Sequence, residues 1–184
     1  MKVRLISQST SPETLEFEGM NNAQDIVAYC ARVSNPSNQI NTETSERLIR
    51  YLVKHQHWSP LEMVNACLEI ETTRDIAHQI VRHRSFAFQE FSQRYANPEE
   101  QGDMFEYSEA RLQDTKNRQN SIETSDVELQ AWWDAQQKFV TEISKKIYDE
   151  ALEKGIAKEQ ARKVLPEGLT KTKLYMNGTL RSWI

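Results

Sequence analysis

Val64, Ala66, Leu68 and Ile70 alternate with Asn65, Cys67, Glu69 and Glu71, and a period of two marks a half-buried strand. Lys2 to Gln8 reads as another strand, with Val3, Leu5 and Ser7 on one face. Elsewhere the period lengthens. Ile26, Tyr29, Cys30 and Val33 fall at i, i+3, i+4 and i+7 behind a candidate cap at Asn21 or Asn22, which predicts a helix. A second helix starts near Thr44 and buries Leu48, Ile49, Leu52 and Val53. Thr72, Thr73 and Asp75 open a third that runs to about Arg84, with Ile76, Ala77, Ile80 and Val81 as its apolar stripe. The longest pattern carries Leu129, Trp132, Trp133, Gln136, Phe139, Val140, Ile143 and Ile147 at helical spacing and stops at Gly155.

Capping and turn residues punctuate these elements. Ser59-Pro60-Leu61-Glu62 and Ser125-Asp126-Val127-Glu128 both read as capping boxes. Asn35 to Asn38 is a turn, and Ser108 to Thr124 reads as an irregular polar loop or flap. A short helix from Lys158 to Leu165 ends at Pro166. Leu169 to Met176 is extended, and Thr179 can cap one last turn. The expected class is α+β: one domain over residues 1–184, a central, mostly antiparallel sheet flanked by helices, and one long helix over about 125–154.

Composition sharpens this. The 184 residues hold 23 Lys and Arg against 27 Asp and Glu, a net charge of −4, which argues against a general polyanion-binding surface. The hydrophobic share of 38 % is below the usual ~45–50 %, so part of the core is expected to be completed by a cofactor or a second subunit. No apolar run approaches the ~20 residues of a membrane span, and Met1-Lys2-Val3-Arg4 has no secretory apolar stretch behind it. Cys30 and Cys67 are far apart and read as free, buried thiols, so a cytoplasmic location is expected. His55, His57, His78 and His83 lack the Cys or Asp neighbours that would complete a metal site, and no metal is expected. His55 reads as a helix C-terminal residue, and Trp132 and Trp133 as core or interface residues.

Arg74 to Tyr95 is a basic island in this acidic chain: Arg74, Arg82, Arg84, Arg94, His78 and His83 stand against Asp75 and Glu90 alone. On a continuous helix Gln79, Arg82 and His83 would converge at i, i+3 and i+4. The planar arginine fork suits phosphate, and a glutamine amide offers a donor and an acceptor to a base edge. Ser92 and Arg94, two apart in an extended loop, would form a second phosphate clamp. Phe86, Phe88 and Phe91 join the clusters.

These residues resemble the flavin-dependent thymidylate synthases. Arg82-His83-Arg84, seven residues and then Ser92 is that family's signature. Lys54 to Glu62 is similar to its His-x-Ser/Thr-Pro segment, and Arg111 to Asp114 with Lys116 to Gln119 to its flap. Ala161-Arg162-Lys163-Val164-Leu165-Pro166 resembles its late Ala-Arg-x-x-Leu-Pro element, and Arg181-Ser182-Trp183 the start of its last core helix. Thr179 stands where many relatives carry Asn.

The resemblance implies a homotetramer with sites shared between subunits, converting dUMP to dTMP. Methylenetetrahydrofolate would donate the carbon, and FAD and NADPH the hydride. It implies Ser59, Arg82, His83, Arg84, Glu90, Thr179 and Arg181 around FAD. Gln79, Arg82, Glu90, Phe91, Ser92, Gln93 and Arg94 would surround dUMP, with Arg162 reaching in from a neighbouring subunit. His57 matches a histidine of folate binding and methylene transfer, and with Ser92 and Arg94 completes the catalytic set. The family pattern continues past Trp183 to an arginine that polarises uracil, so that group is expected beyond residue 184. Methylation at uracil C5 needs an electron-rich ring, supplied by a cysteine adduct or by cations around a developing enolate. The arginine-rich site favours the second. Two other readings are a FAD- and nucleotide-binding scaffold with impaired catalysis, and a single-stranded RNA-binding module using the arginines and phenylalanines.

Overall fold

The computed structural model describes residues 1–12, 19–20 and 22–184. Strands β1 (Lys2–Gln8), β2 (Asn65–Thr73), β3 (Ala87–Glu90) and β6 (Lys171–Thr179) form a four-stranded sheet in the order β1-β2-β6-β3. Neighbours run antiparallel. The Ser9 N–H just after β1 donates to the Asn65 carbonyl at the start of β2, and the Arg74 N–H just after β2 donates to Thr170 just before β6. Phe91, just after β3, donates to Lys173 near the start of β6. The helices are α1 (Ala23–Ala31), α2 (Ser45–Lys54), α3 (Arg74–Ile80), α4 (Val127–Glu153), α5 (Lys158–Ala161) and α6 (Leu180–Trp183). The mixed class, the antiparallel sheet and the long helix agree with the sequence reading. No helix among the described residues is long and apolar enough to cross a membrane.

The chain divides into two compact units. One comprises Lys2–Ile70, Val81–Gln89 and Leu174–Ile184. Its core is Ala23, Val27, Leu52, Leu61 and Val64, with Ile26, Leu48, Ile49, Trp58 and Leu180 packed around it. Asn22 caps α1 by accepting from the N–H groups of Gln24 and Asp25; Asn21, the other expected cap, lies outside the described residues. The buried residues of α1 are Ala23, Asp25, Val27 and Ala28; of the predicted stripe, Ile26 packs against this core, Tyr29 and Cys30 are half-buried, and Val33 is exposed beyond the helix end. Val53 is exposed on α2, while Leu52 is buried as expected. Val3 and Leu5 are about half exposed because β1 is an edge strand with no side against this core. Ser59 is not a cap: Ser59–Met63 is a 3₁₀ turn that starts after Trp58, with no side-chain capping bond.

The other unit comprises Met1, Glu71–Ile80 and Glu90–Lys173. Met104, Tyr148, Ala161 and Leu165 form its core. Its α3 stops at Ile80, four residues earlier than predicted, and Thr72 and Thr73 belong to β2. The expected polar loop contains a hairpin instead, with β4 (Arg111–Gln113) antiparallel to β5 (Ser121–Glu123). Asp126, not Ser125, caps α4, accepting from the Leu129 N–H at 3.0 Å. Gly155, at φ +80°, ends the helix in the left-handed conformation that glycine tolerates best. The short helix after it is α5 followed by a 3₁₀ turn over Arg162–Val164.

The long helix has an unexpected polarity. Its buried residues are Gln137, Thr141 and Tyr148. Trp132, Phe139, Val140, Ile143 and Ile147 are 44–60 % exposed. Burying the glutamine is affordable because its amide is fully engaged: Nε2 donates to the Ser108 carbonyl at 2.9 Å, and Oε1 accepts the Ser108 N–H at 2.9 Å. Gln130, seven residues earlier, does the same to Ala110, accepting its N–H at 2.9 Å and donating to its carbonyl at 3.1 Å.

Candidate active site

In the unit containing α3, Glu90 is the best-anchored predicted site residue. It lies at the end of β3, half-buried, and its Oε1 accepts from Thr172 Oγ1 at 2.9 Å and from Arg74 Nη1 at 3.3 Å. Arg74, with only 11 % of its side chain exposed, also donates through Nε to Glu167 Oε2 at 3.0 Å. His78, one turn along α3, meets its Nη2 at 3.3 Å. A carboxylate held by two donors in a partly desolvated position keeps one orientation. Sequence reasoning placed Arg74 in the basic island without a role and overlooked Thr172; both act through pairings made only in the folded chain.

After Glu90 the chain turns. The expectation of an extended loop at Ser92 and Arg94 is corrected, because the Tyr95 N–H donates to the Ser92 carbonyl at 3.1 Å and the Ala96 N–H to the same oxygen at 3.2 Å. Ser92 is half-buried, Gln93 is 2 % exposed and Arg94 points to solvent. Helix α5 steadies this turn. Lys158 Nζ donates to the Tyr95 carbonyl at 3.1 Å, and Glu159 lies 3.8 Å from Arg94. Gln93 Nε2 is buried without an acceptor, which native proteins rarely tolerate unless a ligand or water completes it. Arg162 follows α5 directly and is half-buried; Gln79 is exposed on α3, and Phe91 is half-buried.

The unit containing α6 holds the other predicted residues. Arg82, His83 and Arg84 lie in a turn beyond α3, so the expected helical face with Gln79 is not formed; no glycine or proline had marked the helix end. All three are exposed, and among the described residues neither arginine has a carboxylate partner. The turn is braced by Phe86, whose ring centroid lies 4.6 Å from that of Trp183 and 6.3 Å edge-on from that of His83. Thr179 caps α6 by accepting from the Ser182 N–H at 3.2 Å, and Ser182 Oγ donates to the Ser85 carbonyl at 3.2 Å. Gly178 makes this possible: a Cβ there would lie 2.4 Å from Phe86 Cδ1. Arg181 stacks 4.5 Å over the Trp58 ring, next to the exposed Ser59. His57 is exposed, its ring 6.0 Å from that of Tyr51, and His55 ends α2 as predicted. Phe86, Phe88 and Phe91 are half-buried rather than presented as open stacking faces.

The model of the family described as thymidylate synthase complementing protein matches residues 17–184. A probable flavin-dependent thymidylate synthase of Paramecium bursaria Chlorella virus 1 is 50 % identical over all 184 residues, which cover 82 % of that relative. The chain belongs to the flavin-dependent thymidylate synthase family. A flavin-dependent thymidylate synthase of Synechocystis shows the same identity and coverage. Among solved structures, a UMP/dUMP methylase, PolB, from Streptomyces cacaoi bound with 5-Br dUMP superposes with a TM-score of 0.73. That match covers 98 % of this chain and 73 % of that one at 23 % identity, a likeness of fold. Membership makes this chain an enzyme of the flavin-dependent class, as its motifs implied.

Proposed function

We propose that this thymidylate synthase family member methylates dUMP to dTMP, taking the carbon from methylenetetrahydrofolate and reducing equivalents from NADPH through FAD. The observation that carries the reading is the Arg82-His83-Arg84 turn, whose two arginines have no carboxylate partner among the described residues of a chain of net charge −4. Unpaired guanidinium groups suit a pyrophosphate, so the donor set fits FAD. Arg82, His83, Arg84, Ser59, Thr179 and Arg181 would hold it, with Glu90 joining them; when bound, FAD supplies the hydride.

For dUMP, Ser92 and Arg94 clamp the phosphate, and Gln79 and the orphaned Gln93 amide address the uracil edge. Phe91, Glu90 and Arg82 complete the surround, and Arg162 reaches in from a neighbouring subunit. Electron density at C5 is raised by cations stabilising enolate charge. A cysteine adduct is disfavoured, because Cys30 lies half-buried on α1 and burial raises its thiol pKa. His57 serves folate binding and methylene transfer.

A homotetramer fits the polarity of α4. The outward stripe of Trp132, Phe139, Val140, Ile143 and Ile147 is the kind of contiguous apolar face that self-association covers. The test is tritium release from labelled dUMP by the purified, yellow protein. Release should require both methylenetetrahydrofolate and NADPH. A protein that gains no flavin when FAD is added, or releases no tritium with all components present, refutes the reading.

A further inference from the structure

We infer that the cavity between α1 and α2 is an anion subsite for the charged end of a co-substrate, a carboxylate or phosphate group; this rests on the proposed reaction. The cavity, about 550 Å³, lies within the usual range for small-molecule sites. Arg32, Ser34, Asn35, Asn38, Arg47 and Tyr51 are among its lining, whose described residues include two arginines and no carboxylate.

Among the described residues neither arginine has a carboxylate partner. Arg32 is 8 % exposed, and its recorded side-chain partners are uncharged: the Asn41 carbonyl and Thr44 Oγ1, the latter at 2.8 Å. Two of its five N–H donors are thereby engaged. A buried cation without a counter-charge is costly, and an anion entering the cavity offsets that cost. Arg47 is exposed and has no ion-pair partner among the described residues, whereas Arg50, one turn on, is tied to Glu46 at 2.6 Å. Of the two arginines on α2, Arg50 is thus committed, and Arg47 has no carboxylate partner among the described residues.

The third wall says which end of a ligand lies where. Tyr51 lines the cavity and packs at 4.2 Å between centroids on His55 and at 6.0 Å, edge-on, on His57. A flat heteroaromatic co-substrate with its ring near His57 would run along Tyr51 and deliver its anionic end to Arg32 and Arg47. Reduced folate with its glutamyl carboxylates and NADPH with its 2′-phosphate both have that form.

Calorimetric titration of the full-length flavin-loaded protein with dUMP decides this, comparing wild type, R47A, R47E and R47K. The probes are pentaglutamyl and monoglutamyl tetrahydrofolate, and NADPH and NADH. Losing a hydrogen bond to a charged group predicts at least about tenfold weaker binding of one polyanionic probe to R47A, more in R47E and partial rescue in R47K. Loss of the pentaglutamyl preference identifies the folate carboxylates as the ligand, and loss of the NADPH preference identifies the phosphate. Affinity for dUMP and flavin content should stay unchanged. Wild-type affinities in R47E for all four probes would overturn the inference. Probe binding that depends on Arg47 without tritium release from dUMP would instead keep the anion subsite and refute the thymidylate reading.

Discussion

Gly178→Ala tests how the Arg82–Arg84 turn, proposed to hold flavin, is fixed. The added Cβ would lie 2.4 Å from Phe86 Cδ1, 2.7 Å from Cε1 and 3.3 Å from Cγ. Carbon atoms settle near 3.5–4.0 Å, so the ring must withdraw by about 1 Å. It cannot do so alone, because it packs on Trp183 at 4.6 Å and faces His83 at 6.3 Å. Overpacking of this kind costs about 1–3 kcal/mol. Gly178 has no left-handed φ, so alanine also recovers about 0.4–1 kcal/mol by restricting the unfolded chain. At the middle of both ranges the net loss is about 1.3 kcal/mol, or roughly 3–5 °C in melting temperature for a chain this size. Since the same ring braces Arg82 to Arg84, turnover falls as well; a 1 Å misplacement can cost about 10²-fold. Thermal melts and flavin absorbance on Gly178→Ala, Phe86→Leu and the double variant provide the assay. The double variant should lose less than the sum of the singles, because leucine leaves room for the new methyl group. A Gly178→Ala protein that melts within a degree of wild type and retains its flavin would show that Phe86 does not fix the turn.

Arg94→Ala and Ser92→Ala should each weaken dUMP by about ten- to a hundredfold in calorimetry and leave FAD nearly untouched; equal losses would mean the two clusters are misassigned. Cys30→Ala and Cys67→Ala should retain dUMP-dependent oxidation of reduced flavin, and full inactivation of folded, flavin-bound Cys67→Ala would contradict the cation route. The folded-state pKa of Cys30 lies above its unfolded value because burial disfavours the thiolate, so its contribution to stability is present at neutral pH and fades as pH rises through the folded value. Alkylation of Cys30 should accordingly be slow in the native protein at pH 8 and fast after denaturation. Arg74→Gln removes one of two donors to Glu90 and should cost about 1–3 kcal/mol in chemical denaturation, with a fall in turnover that Glu90→Gln does not compound. Phe139→Ser with Ile143→Ser should reduce the mass seen by light scattering, and an unchanged mass would remove α4 from the interface.

Much of the fold was legible because it rests on local chemistry. Asn22, Thr179 and Gly155 act where their own backbone preferences put them, and the alternation from Val64 to Ile70 produced its strand. The end of α3 was not legible, since Val81 to Arg84 are acceptable helix residues and the turn is fixed by Phe86, Ser85 and α6 instead. The buried face of α4 was misleading for a related reason. Periodicity locates an apolar stripe but not what the stripe faces, and the burial of Gln137 and Thr141 goes with hydrogen bonds to Ser108 and Tyr107 of a neighbouring segment. At the site, residue identities came from the motifs, while the Arg74–Glu90–Thr172 arrangement arose from residues up to 98 positions apart brought together by sheet pairing.

The glutamine pairing along α4 sets a rule for length changes. Gln130 and Gln137 each engage both backbone groups of one residue, Ala110 and Ser108, as an adjacent strand would. Each amide therefore reads chiefly the backbone, which any residue at 108 or 110 except proline presents, with Ser108 Oγ adding a longer bond to Gln137 Oε1 at 3.2 Å. Drift to other small residues should be tolerated at Ser108 and at the buried Ala110, but insertion of one residue between them, or between the two glutamines, leaves these amides facing the wrong partners. The turn connecting β4 to β5 is exposed, so the bonds that Asp114 accepts from Lys116, Asn117 and Asn120 can be replaced by water when it lengthens, as exposed loop tips generally do. Length variation in relatives should accumulate at 114–120 and stop abruptly at 110.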